Sequence, residues 1–274
     1  MAETLAWIAL GVSLAMLFAW FVQGIAKHGG AVDVVWSMAT GAACVAAAVV
    51  PYENGLSTRQ ILIAFLAGAW SFRLTLHLFQ RTLGSEPDPR YERFAERYGS
   101  YWSPRMALFL QIQAVAAFLL AVTVFFAAHN PAPGLGWADL AGVLILAGAI
   151  LGETISDRQL RHFKADPANK GKVCDKGLWS WSRHPNYFFE WLGWLAYPVF
   201  ALNTAEPYYA GLLSLTGPIF MYWLLTRVSG VPMLEREMLT SKGTAYEAYQ
   251  SRVSSFLPLP PAGSNTSRPA SSAN

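Results

Sequence analysis

Apolar residues run in long stretches along this chain, separated by short polar turns and by two long charged segments. Seven stretches stand out, at residues 5–25, 31–50, 61–79, 106–128, 137–155, 187–202 and 208–228. Most hold 19 to 23 residues, about what crosses a ~30 Å hydrocarbon core at 1.5 Å per residue. The sixth is shorter. The pattern predicts an all-α, polytopic membrane helix bundle of about seven transmembrane helices. The first stretch opens beside the acidic Glu3 and is too long for the apolar core of a cleavable signal peptide, so it reads as a span. No internal repeat is visible, which argues against a transporter built from duplicated halves.

Composition agrees with this reading. Hydrophobic residues make up 54% of the 274 and charged residues only 14%, against roughly 25% charge in a soluble domain. The 11 Trp and 11 Tyr suit membrane–water interfaces. A nucleic-acid binder is disfavoured, since the net charge is only +3 and no domain is dominated by cations. Cys44 and Cys174 give neither a disulfide framework nor a metal pattern. The basic residues are distributed unevenly. With the N-terminus outside, segments 26–30, 80–105, 156–186 and 229–274, together with Arg227, carry 18 of the 20 Lys and Arg. The positive-inside rule therefore predicts a cytoplasmic C-terminus and two cytoplasmic loops. A single membrane domain is expected over residues 1–260, with a disordered Pro/Ser-rich tail at 261–274.

Four ionisable residues fall within or at the edge of spans: Asp33, Arg73, Glu153 and Glu190. A charge at mid-bilayer costs roughly 2.5–3.5 kcal/mol even on insertion scales, so each needs a partner or a wet cavity. Arg73 lies deepest, about 9 Å from its cytoplasmic helix end, with His77 one turn below on the same face. Two readings stay open: a structural Asp33–Arg73 pair, or a polar cavity reached from the cytosol.

The most informative stretch is 152–194. Its first part continues the fifth helix out of the membrane, with Glu153, Asp157, Arg161 and Lys164 on one face. The loop beyond supplies Lys170, Lys172, Lys176 and Arg183, a cationic surface suited to anionic head groups or to a phosphorylated cofactor. In SRHPNYFFE, Pro185 suits the first turn of the sixth helix, whose N-terminus is a natural phosphate seat. Arg183, His184, Asn186, Tyr187 and Glu190 thus converge within eight residues at the membrane surface. An interfacial anchor built on Trp179, Trp181 and Tyr187 is the simpler alternative.

The run from ETISD through NKGKVCDKGLWSWSRHPNYFFEW resembles the C-terminal catalytic region of the steroid 5α-reductase superfamily, most of all its bacterial branch of membrane proteins. VDVVW, RLTLHLF and PDPRYERFAERYG extend the likeness. This resemblance implies a multi-helix membrane fold with a cofactor-binding half at about 137–260. It also implies NADPH as hydride donor, a lipid substrate taken from the bilayer with a double bond conjugated to a carbonyl, and residence in a bacterial inner membrane. Carried over by position, Asp157, Lys164, Lys172, Asn186 and Glu190 match cofactor-binding positions, and Arg161, Arg183 and His184 join them as neighbours. The steroid reductases carry a Gln-Glu pair in the second span and a tyrosine in the third. Here those regions read DVVW and WSFR. Arg73 then becomes the candidate for polarising the carbonyl, with His77 or Tyr187 as proton donor and Asp33 as a further polar group.

A rival resemblance links RHPNY and AYEAYQSRVSSFLP to isoprenylcysteine carboxyl methyltransferases, which use S-adenosylmethionine. Asn186 and the SDRQL helix end favour the reductase. A non-enzymatic lipid-binding protein is the third class, and it predicts no cofactor affinity.

Overall fold

In the computed structural model the described residues are 2–26, 30–51, 55–83, 96–97, 99–100, 102–203 and 206–261. The tail beyond residue 261 and most of the PDPRYERFAERYG stretch lie outside them. The helices are α1 (Ala2–Ala26), α2 (Gly30–Ala48), α3 (Thr58–Leu83), α4 (Pro104–Ala128), α5 (Trp137–Ala165), α6 (Pro185–Phe200), α7 (Thr216–Trp223), α8 (Val231–Lys242) and α9 (Thr244–Gln250). No strand occurs among the described residues; one isolated parallel bridge joins Ser182 to Ser254.

Six helical stretches are long and apolar enough to cross a membrane: α1 to α5, and a composite run at Tyr209–Lys242. The chain is accordingly a multi-pass integral membrane protein. The composite run consists of a 3₁₀ turn at Tyr209–Leu215, α7, a π turn at Leu224–Val228 and α8. The remaining expected span, at 187–202, is the 16-residue α6. At about 24 Å it falls short of the hydrocarbon core, so the described residues carry six such spans where the hydropathy pattern suggests seven.

The chain divides into two compact units. The first holds residues 1–146 and 195–217, the second 147–194 and 218–274. In the first, α1 buries Ile8, Val12, Met16, Ala19 and Gln23 at spacings of three and four, while Trp7, Leu14, Phe18 and Phe21 stay exposed. A helix apolar on every side is what a lipid-facing span requires. Helices α2 and α3 pack through small side chains. Ser37 and Thr75 share a hydrogen bond of 2.8 Å, Ser71 donates to the Ser37 carbonyl at 3.0 Å, and Gly41 leaves room for the Ser71 side chain. Ser13 and Gln111 tie α1 to α4 at 2.7 Å, and Trp36 donates to the Gln113 carbonyl at 3.1 Å. At the start of α3, buried Arg59 meets both carboxylate oxygens of Asp139, at 2.7 and 2.9 Å. It also donates to the carbonyls of Asn130, Ala132 and Gly134. All of this buried charge is matched by acceptors, so the cluster locks the α4–α5 connection.

In the second unit, the end of α5, the loop after it and the start of α6 are bound together by residues 251–259. This strap follows α9 and runs alongside 181–184.

Candidate functional site

The last turns of α5 bury Glu153, Ser156 and Asp157, while Arg158, Arg161 and Lys164 are exposed. The loop then folds back onto this helix. A 3₁₀ turn at Pro167–Asn169 is capped by Asp166, which accepts from the Ala168 amide at 2.9 Å. Farther on, Trp179 donates its indole N–H to the Ser156 carbonyl at 3.0 Å, and the Leu178 amide donates to Gln159 Oε1 at 2.9 Å. Gly177 permits this approach: its φ is +60°, and a Cβ there would stand 2.6 Å from the Gln159 amide.

The loop ends in SRHP. Ser182 Oγ accepts from the His184 amide at 3.1 Å and donates to the Phe256 carbonyl at 2.8 Å. Pro185 begins α6, so Asn186, Tyr187 and Glu190 lie in its first two turns. Gly152 of α5 receives the Phe189 ring of α6, and a Cβ at that glycine would stand only 2.3 Å from it. This close approach brings Asn186 to Asp157: its side-chain amide donates to Asp157 Oδ1 at 3.2 Å. The Asn186 oxygen accepts from the Tyr187 backbone at 3.0 Å, and Glu190 accepts the Trp194 indole N–H at 2.9 Å. Two positions 29 residues apart, both expected at a cofactor, thus share one hydrogen bond.

Arg183 and His184 face the strap. Arg183 pairs with Glu235 of α8 (Nε–Oε1 2.8 Å, Nη2–Oε1 2.6 Å), and its Nη1 donates to the carbonyls of Gln250 and Val253. Its guanidinium therefore braces the site. His184 is buried, with Nδ1 2.9 Å from the Ser255 carbonyl, 3.9 Å from Glu235, and its ring stacked on Tyr187. A carbonyl can only accept, so Nδ1 carries the proton. Burial lowers the His184 pKa and Arg183 adds to this, against the opposing pull of the Ser255 carbonyl and Glu235. Tyr249 donates to the Trp179 carbonyl at 2.5 Å, and burial raises its pKa so that the phenol keeps its proton. Burial likewise pushes Tyr246 up to about 12 and raises the Cys174 thiol. Cys174 is therefore a buried thiol rather than a nucleophile.

The remaining expected residues are placed as follows. Arg161, Lys164 and Lys172 are exposed on the second unit. In the first unit Asp33 forms an ion pair with Arg81 at 3.4 Å, and Arg73 and His77 sit half-buried one turn apart on α3. Glu235, Gln250 and Tyr249 went unnoticed in the sequence. Their only signal was the likeness of the segment around Tyr249 to a methyltransferase terminus, and Glu235 sits among charges of both signs on an ordinary amphipathic helix.

The fold and site together define a multi-pass, all-helical membrane protein with a polar cluster where a short helix begins. The family described as "Protein of unknown function (DUF1295)" matches residues 19–253. The chain belongs to this family, which is steroid 5α-reductase-like. It is also similar to an uncharacterized protein of Schizosaccharomyces pombe, 29% identical over 231 residues that cover 75% of this chain and 65% of the relative. The chain thus spans just under two thirds of that relative's length. No solved structure gives a significant match.

Proposed function

We propose that this protein is a membrane-embedded reductase that uses NADPH to reduce a carbon–carbon double bond conjugated to a carbonyl in a lipid. The observation that carries the reading is the contact between Asp157 and Asn186, which joins two positions that the resemblance to the reductases marks independently. The donor set fits a dinucleotide. The half-buried Asn186 amide and Glu190 carboxylate at the start of α6, with the buried Asp157 carboxylate of α5, suit amide and hydroxyl groups, and the exposed Arg161, Lys164 and Lys172 suit phosphates. When bound, NADPH supplies the hydride.

The chain's own residues orient and protect. Asp157 holds Asn186 in one rotamer, and Glu190 is fixed by Trp194. Arg183 and His184 brace the loop against the strap, with neutral His184 keeping its Nε2 lone pair. On α3, Arg73 is the proposed group that polarises the carbonyl oxygen. His77 is the proposed proton donor, with Tyr187 as the alternative and Asp33 as a supporting charge. A lipid substrate partitions into the bilayer already and enters from it, and the apolar surroundings exclude water. The cationic loops and the C-terminus face the cytosol, where the cofactor is found.

The likeness to S-adenosylmethionine-dependent methyltransferases gives a second reading, favoured by the seating of strap residues 251–259 directly on SRHP. Titration of purified protein with NADPH, NADH and S-adenosylmethionine separates the two. Saturable NADPH binding, tighter than NADH, is the expected result. Binding of S-adenosylmethionine with neither dinucleotide moves the assignment to a methyltransferase, and binding of none favours a lipid-binding protein without catalysis.

A further inference from the structure

Helix α5 runs 29 residues, about 44 Å, and so outreaches a ~30 Å hydrocarbon core. Each residue turns the helix by about 100°. Leu140, Leu144, Leu151 and Ile155 then share a sector of about 60° with Arg158 and His162. All four apolar side chains are exposed, at 61%, 63%, 63% and 48%, as are Arg158 and His162. One face of α5 is therefore an open apolar stripe that becomes cationic as the helix leaves the bilayer. Asp157 and Lys164 lie together on another face, Lys164 about 120° from Arg158. Arg158 and His162 thus lie on the stripe and Lys164 off it, with Arg161 between the two faces, about 60° from Arg158.

The cationic end is also concave. Thr154 and Ala165 are small, and with Arg158, Arg161 and His162 they line a shallow groove of about 500 Å³. Among the described residues no carboxylate pairs with Arg158 or Arg161. Arg158 Nε instead lies 3.5 Å from His162 Nε2, which holds the two side chains side by side at one level. An open pair of this kind, directly above a bilayer-facing stripe, needs an anion that is itself attached to hydrocarbon.

The geometry points to a seat for an anionic phospholipid on this face. Its acyl chains lie along Leu151 and Ile155, and its phosphate is held by the Arg158 guanidinium and the His162 imidazole. The assignment does not rest on the reductase reading.

The test uses the full chain, purified in zwitterionic detergent, with native mass spectrometry against phosphatidylglycerol and phosphatidylcholine. The parent retains phosphatidylglycerol preferentially, and Arg158→Gln with His162→Gln lowers that retention about tenfold. Arg158→Lys with His162→Lys, which keeps cations on the stripe, restores most of it. Lys164→Gln with Lys170→Gln, off the stripe, leaves it within about twofold. Three outcomes overturn the proposal: phosphatidylglycerol retention unchanged in the Arg158/His162 double variant, an equal loss in the Lys164/Lys170 variant, or displacement of the lipid by inorganic phosphate alone. Variant foldedness is read from circular dichroism. Because Arg158 and His162 are off the Asp157 face, the double variant also keeps the parent's NADPH titration whenever the reductase reading is right, so the two proposals fail separately.

Discussion

Asn186 donates its side-chain amide to Asp157 across 3.2 Å, and this bond links the first turn of α6 to the last buried turn of α5. It forms because Gly152 admits the Phe189 ring, which lets the two helices approach closely enough for short side chains to meet.

Asn186→Ala removes the amide and leaves Asp157 buried without that donor. NADPH affinity is expected to fall about tenfold, the value of one hydrogen bond to a charged group. Gly152→Ala is expected to weaken binding similarly, through displacement of Phe189 rather than loss of a contact. Isothermal titration of both variants tests this. Undiminished NADPH affinity in Asn186→Ala would remove the residue from the site.

Arg183 and Glu235 are 10% and 17% exposed at their side chains, with 2.6 Å between nitrogen and oxygen. Removing one member of such a pair leaves the other charge partly buried and uncompensated. Glu235→Gln is expected to destabilise the second unit by about 3 kcal/mol. Arg183→Met combined with Glu235→Met is expected to cost less than either single change, because no stranded charge remains. Thermal unfolding monitored in detergent decides it; equal, additive losses would show the pair to be uncoupled.

Stability is also expected to depend on pH through His184. Burial holds its folded-state pKa below the unfolded value of about 6.5. Above that value the imidazole is neutral in both states and the folded chain carries no penalty. As the pH falls through about 6.5 the unfolded chain takes up a proton that the folded chain refuses, and stability declines until the lower, folded pKa is reached. His184→Asn keeps a donor for the Ser255 carbonyl and should flatten this acid-side slope. A slope that persists in the variant assigns it to another group.

Arg73→Met should leave NADPH affinity nearly intact and lower turnover of an enone lipid, because methionine keeps the apolar stem and deletes the charge. Asp33 keeps Arg81 as its partner in this variant, so that carboxylate is not left stranded. A variant that folds and turns over as the parent does would make Arg73 structural.

Much of the fold was legible because a bilayer imposes its own ruler. Five spans appear as single helices where apolar runs predict them. The run at 208–228 is a span as well, broken internally by 3₁₀ and π turns. The run at 187–202 was harder, since it begins at Pro185 and its 16 residues are too few to cross alone. Asp157 and Asn186 were legible through a resemblance, and a hydrogen bond now joins them. The partner of Arg183 was not. Local sequence places Arg183 beside a helix N-terminus and suggests a phosphate ligand, whereas the structure gives it Glu235, 52 residues away. Pairings at such a distance leave no periodic trace, and neither do main-chain acceptors such as Gln250 and Val253. The Arg81 partner of Asp33 was equally illegible, because it depends on the α2–α3 register set by Ser37 and Thr75, which brings Arg81 within 3.4 Å.

The strap has a consequence for biosynthesis. Residues 251–259 hold 181–184 by main-chain and hydroxyl hydrogen bonds, Arg183 to Ser254 at 2.8 Å and Leu259 to Trp181 at 3.0 Å among them. The six spans described between residues 2 and 242 are synthesised before this segment leaves the ribosome. These spans can therefore insert into the bilayer while Ser182, Arg183 and His184 still lack these partners, and the brace closes only once residues 251–259 have emerged. The order of synthesis separates the building of the helical bundle from the maturation of its polar cluster, so a chain stalled before residue 251 would be embedded in the membrane yet incompetent.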